Sequence, residues 1–329
     1  MNNRKFSLIV CTYSRPESLS TLLKSIATQS VAPDEILIID ASSDQKTEIV
    51  CQSSQLPSLK YFQVNTEHRG LTKQRNYGIS KVGKDIDYVC FLDDDIILSK
   101  DYFTSLINTY IAFPDAIGVG GYITNEVIWE FKSSKSLRSK FYFEEFQRQE
   151  PMRFQVRRLC GLAPDRQPCF LPSFGHGRSV SFLPPSGKIY GVEHFMGGVS
   201  SYKLDVLKKV GFSTFFEGYG LYEDADFCFR LLSFGDLYVN TAAQCEHHHD
   251  KSGRPDWFEY GKMVIRNGWY VWRIRFPKPS VKDKFRWRAC SLLLILLTLG
   301  TLNRKSIREG MGRLFAWTKL FFFKPSIQS

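Results

Sequence analysis

Asp93, Asp94 and Asp95 stand in a row directly after the apolar run Tyr88-Val89-Cys90-Phe91-Leu92. A strand that ends in packed carboxylates concentrates like charge, and a cation relieves it. A hard divalent ion, Mg²⁺ or Mn²⁺, takes oxygen ligands of this kind and bridges to phosphate oxygens. The competing reading is an acidic loop that caps the next helix. A second acidic group, Glu223-Asp224-Ala225-Asp226, opens a stretch with Phe227, Leu231 and Phe234 on one helical side. The helix dipole alone favours carboxylates in a first turn, and Asp226 with Arg230 has the i, i+4 spacing of a simple pair. A carboxylate held there beside a pocket is also a natural general base. His247-His248-His249 follows a strand-like run from Leu237 to Asn240. Neighbouring side chains diverge, so one or two of these histidines could join a carboxylate-bound Mn²⁺, and the alternative is an exposed polar turn. A closed zinc site usually shows wider ligand spacing.

The elements that must position these groups alternate. Phe6 to Cys11 reads as a strand, followed by Ser14-Arg15-Pro16-Glu17. Ser14 with Glu17 has the spacing of a capping box, Pro16 suits a first helical turn, and Leu19, Leu22, Leu23 and Ile26 recur at helical spacing. Glu35 to Ile39 is a second strand ending at Asp40. A polar helix near 44–54, a strand near 59–64, a helix near 70–82 and a strand over 87–92 complete the pattern. Near-continuous apolar strands between helices predict an α/β fold with a mostly parallel sheet covered on both faces. Ligands bind outside the carboxyl ends of such strands, which puts Asp40 and Asp93–Asp95 on one rim.

The chain has 329 residues and a net charge of +11. Residues 257–329 hold 15 Lys and Arg against 3 Asp and Glu, while residues 1–256 hold 29 against 30. The basic character therefore belongs to the C-terminal segment, which is also rich in Trp, Phe and Leu. That combination points to an anionic membrane surface, and without a zinc-finger or RNA-recognition signature nucleic acid is excluded as a partner. Ala289 to Leu302 is uncharged but short for a spanning helix, so 256–329 is expected to form two or three helices lying in the membrane interface. The same helices could instead cap the catalytic domain or form a dimer interface. Residues 124–188 mix Lys, Arg, Phe, Pro and Gly with little period and read as a partly ordered insertion shaping an acceptor site. Eight scattered cysteines without a CxxC pair suit a reducing compartment, and Met1 to Arg15 lacks the pattern of a signal peptide.

Several stretches in order resemble the family 2 glycosyltransferases. They are Val10-Cys11-Thr12-Tyr13-Ser14-Arg15-Pro16, Ile38-Ile39-Asp40-Ala41-Ser42-Ser43-Asp44, Arg69 to Ile79 with its Arg75-Asn76-Tyr77-Gly78, and Phe91-Leu92-Asp93-Asp94-Asp95. Gly197-Gly198 through Phe212 and Tyr222-Glu223-Asp224-Ala225-Asp226 continue the series. The resemblance spans roughly residues 5–255 and implies the GT-A nucleotide-sugar fold over 1–255, with a C-terminal helical extension. It departs at Asp40-Ala41-Ser42-Ser43, where many members read Asp-Asp-Gly-Ser.

The resemblance also implies roles. Asp40 would accept a hydrogen bond from the nucleotide base, Thr12 and Arg15 would line its pocket, and Arg75 would hold the ribose or diphosphate. Asp93 would lie near the ribose, and Asp95, with Asp94 beside it, would hold the divalent metal. Asp224, with Glu223, would deprotonate the acceptor hydroxyl. His247 or His249 would approach the metal or diphosphate. The implied reaction is inverting sugar transfer from a nucleotide-diphosphate sugar, a UDP-sugar being the first candidate, to a hydroxyl acceptor such as a lipid-linked glycan. Its setting would be bacterial polysaccharide or glycolipid assembly at the inner face of the cell membrane. A sugar-phosphate nucleotidyltransferase and a non-catalytic, membrane-docked scaffold are the alternatives. The former usually needs a Gly-rich loop near the N-terminus, and the turn after Cys11 has no glycine.

Overall fold

The computed structural model describes residues 4–133, 137–216, 218–249 and 256–327. The chain runs β1 (Phe6–Thr12), α1 (Pro16–Ala27), β2 (Glu35–Asp40), α2 (Lys46–Ser53), β3 (Leu59–Gln63), α3 (Leu71–Lys81), β4 (Tyr88–Asp93), β5 (Ile96–Leu98), α4 (Tyr102–Ala112) and β6 (Ala116–Ile123). It continues through β7 (Glu130–Phe131), β8 (Lys140–Phe143), β9 (Phe146–Gln149), α5 (Met152–Leu159), β10 (Ile189–Val192), β11 (Val199–Lys203), α6 (Leu204–Val210), α7 (Glu223–Leu231) and β12 (Asp236–His247). Three long helices follow, α8 (Trp257–Arg275), α9 (Val281–Leu299) and α10 (Arg304–Phe322). By contacts the chain divides into two units, residues 1–127 with 185–253 and residues 128–184 with 254–329.

The first unit is built on a mixed sheet in the order β10-β12-β6-β11-β4-β1-β2-β3, with β5 paired to β12. Strands β3, β2, β1 and β4 are parallel, as the near-continuous apolar runs of β1, β2 and β4 predict. The other half departs from that expectation, because β11 lies antiparallel to both β4 and β6. Alternate residues of β1 serve opposite faces. Leu8 and Val10 pack in one cluster with Leu19 and Leu22 of α1 and with Phe103 and Leu106 of α4. Ile9 faces the other way, against α3, where Gly78 lets the helix approach: a Cβ there would lie 2.8 Å from Ile9 Cγ2.

Two local expectations are corrected. The Ser14–Glu17 capping box does not form. Arg15 occupies the N-cap of α1 with no side-chain cap, and Ser14 has φ 54°. The amide of Ser14 donates instead to Ser42 Oγ at 2.8 Å, so the turn after β1 is tied to the turn after β2. The strand expected over 237–240 runs on to His247, which makes His247 a strand residue rather than part of a polar turn. Residues 250–255, which follow it, lie outside the described residues.

In the second unit, the described residues of 128–184 are more ordered than their sequence suggests. They form a small antiparallel sheet, β7-β9-β8, and helix α5. Elements this short give periodicity little room to register. All eight cysteines are free, as a reducing compartment predicts. Trp272 of α8 stacks on Trp287 of α9 with centroids 5.4 Å apart, and its indole donates to Ser173 O at 2.8 Å. No helix among the described residues is long and apolar enough to cross a membrane. Helices α8 and α10 meet backbone to backbone through glycines. A Cβ on Gly312 would lie 2.0 Å from Phe258 O, and one on Gly261 would lie 2.1 Å from Glu309 O. Gly312→Val must force these helices apart and is expected to cost about 1–3 kcal/mol, read as a lower urea midpoint, whereas Leu314→Val on an exposed position should leave it unchanged.

Candidate active site

The rim formed by the ends of β1, β2 and β4 is held by side chains of α3. Gln74 donates through Nε2 to the carbonyls of Thr12 at 3.0 Å and Ile39 at 2.8 Å, fastening the ends of β1 and β2. Asn76 exchanges two 2.8 Å hydrogen bonds with the backbone of Phe212. Arg75 is 2% exposed and lies over the rings of Phe91 and Phe212 at 5.5 and 5.2 Å. Its Nη1 donates to Glu223 Oε1 at 2.5 Å, and its Nη2 lies 3.7 Å from Asp93 Oδ1. Burial works against the Arg75 charge, and Glu223 and Asp93 outweigh it, raising its pKa above the ordinary value. Burial raises the Glu223 carboxyl, while the Arg75 guanidinium beside it favours the ionised form.

Gly197 and Gly198 give the acids room. A Cβ on Gly198 would lie 2.1 Å from Asp93 Oδ2, and one on Gly197 would lie 2.5 Å from Glu223 Oε1 and 3.1 Å from Asp224 Cβ. The amide of Gly197 donates to Asp224 Oδ2 at 3.3 Å. Consecutive residues of one backbone thus touch both Asp93 and Asp224. The helix that carries Glu223 and Asp224 starts from Tyr222 in the left-handed region at φ 71°, a conformation costly for a bulky residue.

The triplet splits. Asp93 keeps a half-exposed carboxylate, 39% accessible. Asp94 turns inward, accepting from Thr12 Oγ1 at 2.7 Å and Arg15 Nη1 at 3.0 Å. Burial pushes Asp94 up to about 6 against the opposing pull of Arg15. Asp95 lies 3.0 Å from His247 Nε2. The pairing of β5 with β12 sets His247 opposite Ile96, beside Asp95. Asp93, Asp95 and His247 offer one ligand atom each, all within 4.8 Å of one another. Two carboxylates and an imidazole suit a Mn²⁺-type ion. Burial works against the His247 imidazolium, but hydrogen bonds to Asp95 and Glu126 outweigh it and push its pKa up to about 10.

Several expected ligand residues are engaged by partners within the protein. Asp40 is fully buried, and its oxygens accept from Ser42 N at 2.8 Å, Ser42 Oγ at 2.5 Å and Tyr61 Oη at 2.9 Å. It shapes the turn and presents no open carboxylate to a base. Ser42 closes that turn onto Asp40 without a left-handed residue, so the glycine missing at position 42 is not required. Thr12 is 2% exposed and serves Asp94, and Arg75 is spent on Glu223 and Asp93. His249 stands with Glu126, its Nε2 3.1 Å from Oε1, and outside the Asp93–Asp95–His247 group. His248 pairs with Glu246. Asp226 accepts from Arg230 Nε at 2.9 Å, the i, i+4 pair its spacing predicts. Gln74, Asn76 and Glu126 were not among the sequence candidates. The first two lay inside the Arg69–Ile79 stretch without a role, and Glu126 belongs to no motif.

Residues 7–164 match the family model described as Glycosyl transferase family 2. The chain has the GT-A fold of the family 2 glycosyltransferases. A mannosyltransferase of Pyrobaculum calidifontis, solved in complex with GDP-Man and Mn²⁺, aligns over 97% of this chain and 87% of its own with TM-score 0.57 and 15% identity. The glucosyl-dolichyl phosphate glucuronosyltransferase of Haloferax volcanii is 29% identical over 142 residues, covering 42% of this chain and 44% of that protein. The GalNAc(5)-diNAcBac-PP-undecaprenol β-1,3-glucosyltransferase of Campylobacter jejuni is 33% identical over 105 residues, 31% of this chain and 33% of that protein. The matched segments thus span less than half the length of these curated relatives. Within this glycosyltransferase fold, the family match takes in the aspartate triplet and ends before Gly197, Asp224 and His247.

The supporting role of Arg75 has a measurable signature. Arg75→Met strands a buried Glu223 and is expected to cost about 3–5 kcal/mol in a urea titration, most of it recovered in Arg75→Met/Glu223→Leu, where both buried charges are gone. A wild-type midpoint for Arg75→Met would mean that the guanidinium serves only a ligand.

Proposed function

We propose that this chain transfers a sugar from a nucleotide-diphosphate sugar to a hydroxyl acceptor with inversion, using Asp224 as general base and a Mn²⁺ or Mg²⁺ ion held by Asp93, Asp95 and His247. The observation that carries this reading is the pair Gly197-Gly198, against which Asp93 and Asp224 both lie. It supports a single corner in which the cation ligands and the base serve one substrate pair. When bound, the ion offsets the negative charge that develops on the departing diphosphate. Asp93, Asp95 and His247 hold it, and Arg75 fixes Asp93 relative to Glu223 and hence to the start of α7. Asp224 accepts the hydroxyl proton. One carboxylate suffices, because a nucleoside diphosphate leaves without protonation, unlike the leaving group of glycoside hydrolysis. Its partner Glu223 is committed to Arg75 and acts in positioning rather than proton transfer.

The solved mannosyltransferase complex, with GDP-Man and Mn²⁺, favours a nucleotide sugar and a divalent ion over the nucleotidyltransferase reading. The donor base and sugar are assigned by a panel of UDP- and GDP-sugars. Asp224→Asn should lower kcat by about 10²–10⁴-fold with nucleoside diphosphate binding unchanged, whereas Asp95→Ala should abolish the Mn²⁺ dependence of that binding. Full transfer by Asp224→Asn would sink the base assignment. Release of pyrophosphate from a nucleoside triphosphate and a sugar phosphate would favour the nucleotidyltransferase.

A lipid-linked acceptor suits the names of the two curated relatives, one dolichyl and one undecaprenyl. The second unit supports the same direction. Phe285, Phe322 and Phe323 are 72%, 81% and 69% exposed on α9 and at the end of α10, among an excess of Lys and Arg. Aromatic side chains beside cations bind the interface of anionic bilayers. The full chain should sediment with phosphatidylglycerol-containing vesicles and not with pure phosphatidylcholine, and Phe322→Ser/Phe323→Ser should release it. Equal sedimentation of both proteins would remove this surface from the proposal.

A further inference from the structure

His247 is held from two sides by residues that follow β6. Asn125 exchanges hydrogen bonds with its backbone, Nδ2 donating to His247 O at 3.1 Å and Oδ1 accepting from His247 N at 3.0 Å. Glu126 Oε1 lies 3.2 Å from His247 Nδ1, while Nε2 of the same ring faces Asp95 Oδ1 at 3.0 Å. His249 closes the group, its Nε2 3.1 Å from Glu126 Oε1 and its ring centroid 3.9 Å from that of His247. One imidazole therefore stands between a buried carboxylate at one nitrogen and an exposed carboxylate at the other.

An imidazole that binds an ion through Nε2 keeps its proton on Nδ1, and that proton needs an acceptor. We infer that Glu126 is the positioning residue of the cation site: by accepting the Nδ1 proton of His247 it presents Nε2 to an ion beside Asp93 and Asp95. The inference rests on the reading that those three residues hold the ion. Glu126 itself stays out of the coordination shell. Its carboxylate fixes the tautomer and the ring plane, Asn125 fixes the backbone that carries the ring, and His249 holds the second side of the Glu126 oxygen. The rival arrangement is a separate ion held by Glu126, His247 and His249, whose ligand atoms also lie within 4.8 Å of one another. It would commit Nδ1 to that ion and withdraw the residue that orients Nε2 toward Asp95.

Mn²⁺ titration of the full chain, with free ion read by electron paramagnetic resonance, separates these cases. The wild type should bind one Mn²⁺. Glu126→Ala should weaken that binding by about 10–100-fold, Glu126→Gln, which keeps an acceptor oxygen, should recover most of it, and His249→Ala should stay within about twofold of wild type. Glu126 is exposed, so its variants are expected to fold, and matching circular dichroism spectra check this. Wild-type affinity in Glu126→Ala overturns the inference. So does Glu126→Gln as weak as Glu126→Ala, or two ions per chain with one lost in both Glu126→Ala and His249→Ala. Asp95→Ala tells the two levels apart. If it binds as tightly as wild type, the cation reading itself has failed. If it loses the ion while Glu126→Ala does not, only the role of Glu126 has failed.

Discussion

A guanidinium at 2% exposure has a steep desolvation cost and must be met by carboxylates. Arg75 is such a group, and Glu223 and Asp93 are what meet it. One comes from the start of α7, the other from the end of β4, and neither has a reason of its own to lie near the other. Like charges so placed repel, and the cation between them reverses that sign. The rings of Phe91 and Phe212 beneath the guanidinium keep water out and hold it in plane. The candidate base, adjacent to Glu223 in sequence, inherits its place from this ion pair. Gly197 and Gly198 are small for the same reason, since the backbone must pass directly over the paired acids.

Helix α3 is the source of that order. Its successive residues reach four different parts of the first unit: Gln74 the ends of β1 and β2, Arg75 the two acids, Asn76 the chain at Phe212, and Gly78 the face of the sheet. A short helix with so little apolar surface is held by directed polar bonds rather than by area. Each of these bonds is buried or nearly so, which makes a lost partner costly. Asp40 and Asp94 work in the same way, one closing the turn after β2 and the other drawing Thr12 and Arg15 inward. At this rim Asp93 keeps a half-exposed carboxylate, while Asp224 accepts from the amides of Gly197 and Ala225.

The first half of the fold was legible because β1, β2 and β4 are near-continuous apolar runs and α1 carries leucine at helical spacing. The second half was not. The direction of β11 depends on neighbours distant in sequence, and the two- to four-residue strands of 128–184 are too short to show a period. The acid clusters were visible as residue types, but which acids are open and which are consumed follows from tertiary partners. Nothing local distinguishes Asp94 from Asp93. The distinction arises only when Thr12 and Arg15 arrive on one side and Gly198 on the other. The histidine run was readable as candidate ligands, yet the choice of His247 over its neighbours is made by the register of β5 with β12.

That register carries a kinetic corollary. Asp95 emerges early from the ribosome, and His247 belongs to the last strand of the sheet. Their meeting is a contact of very high sequence separation, and such contacts close late because the intervening loop must first lose its freedom. A nascent or half-folded chain therefore carries the aspartates without the imidazole. The Asp93–Asp95–His247 group proposed to hold a cation is complete only once the final strand pairs with β5.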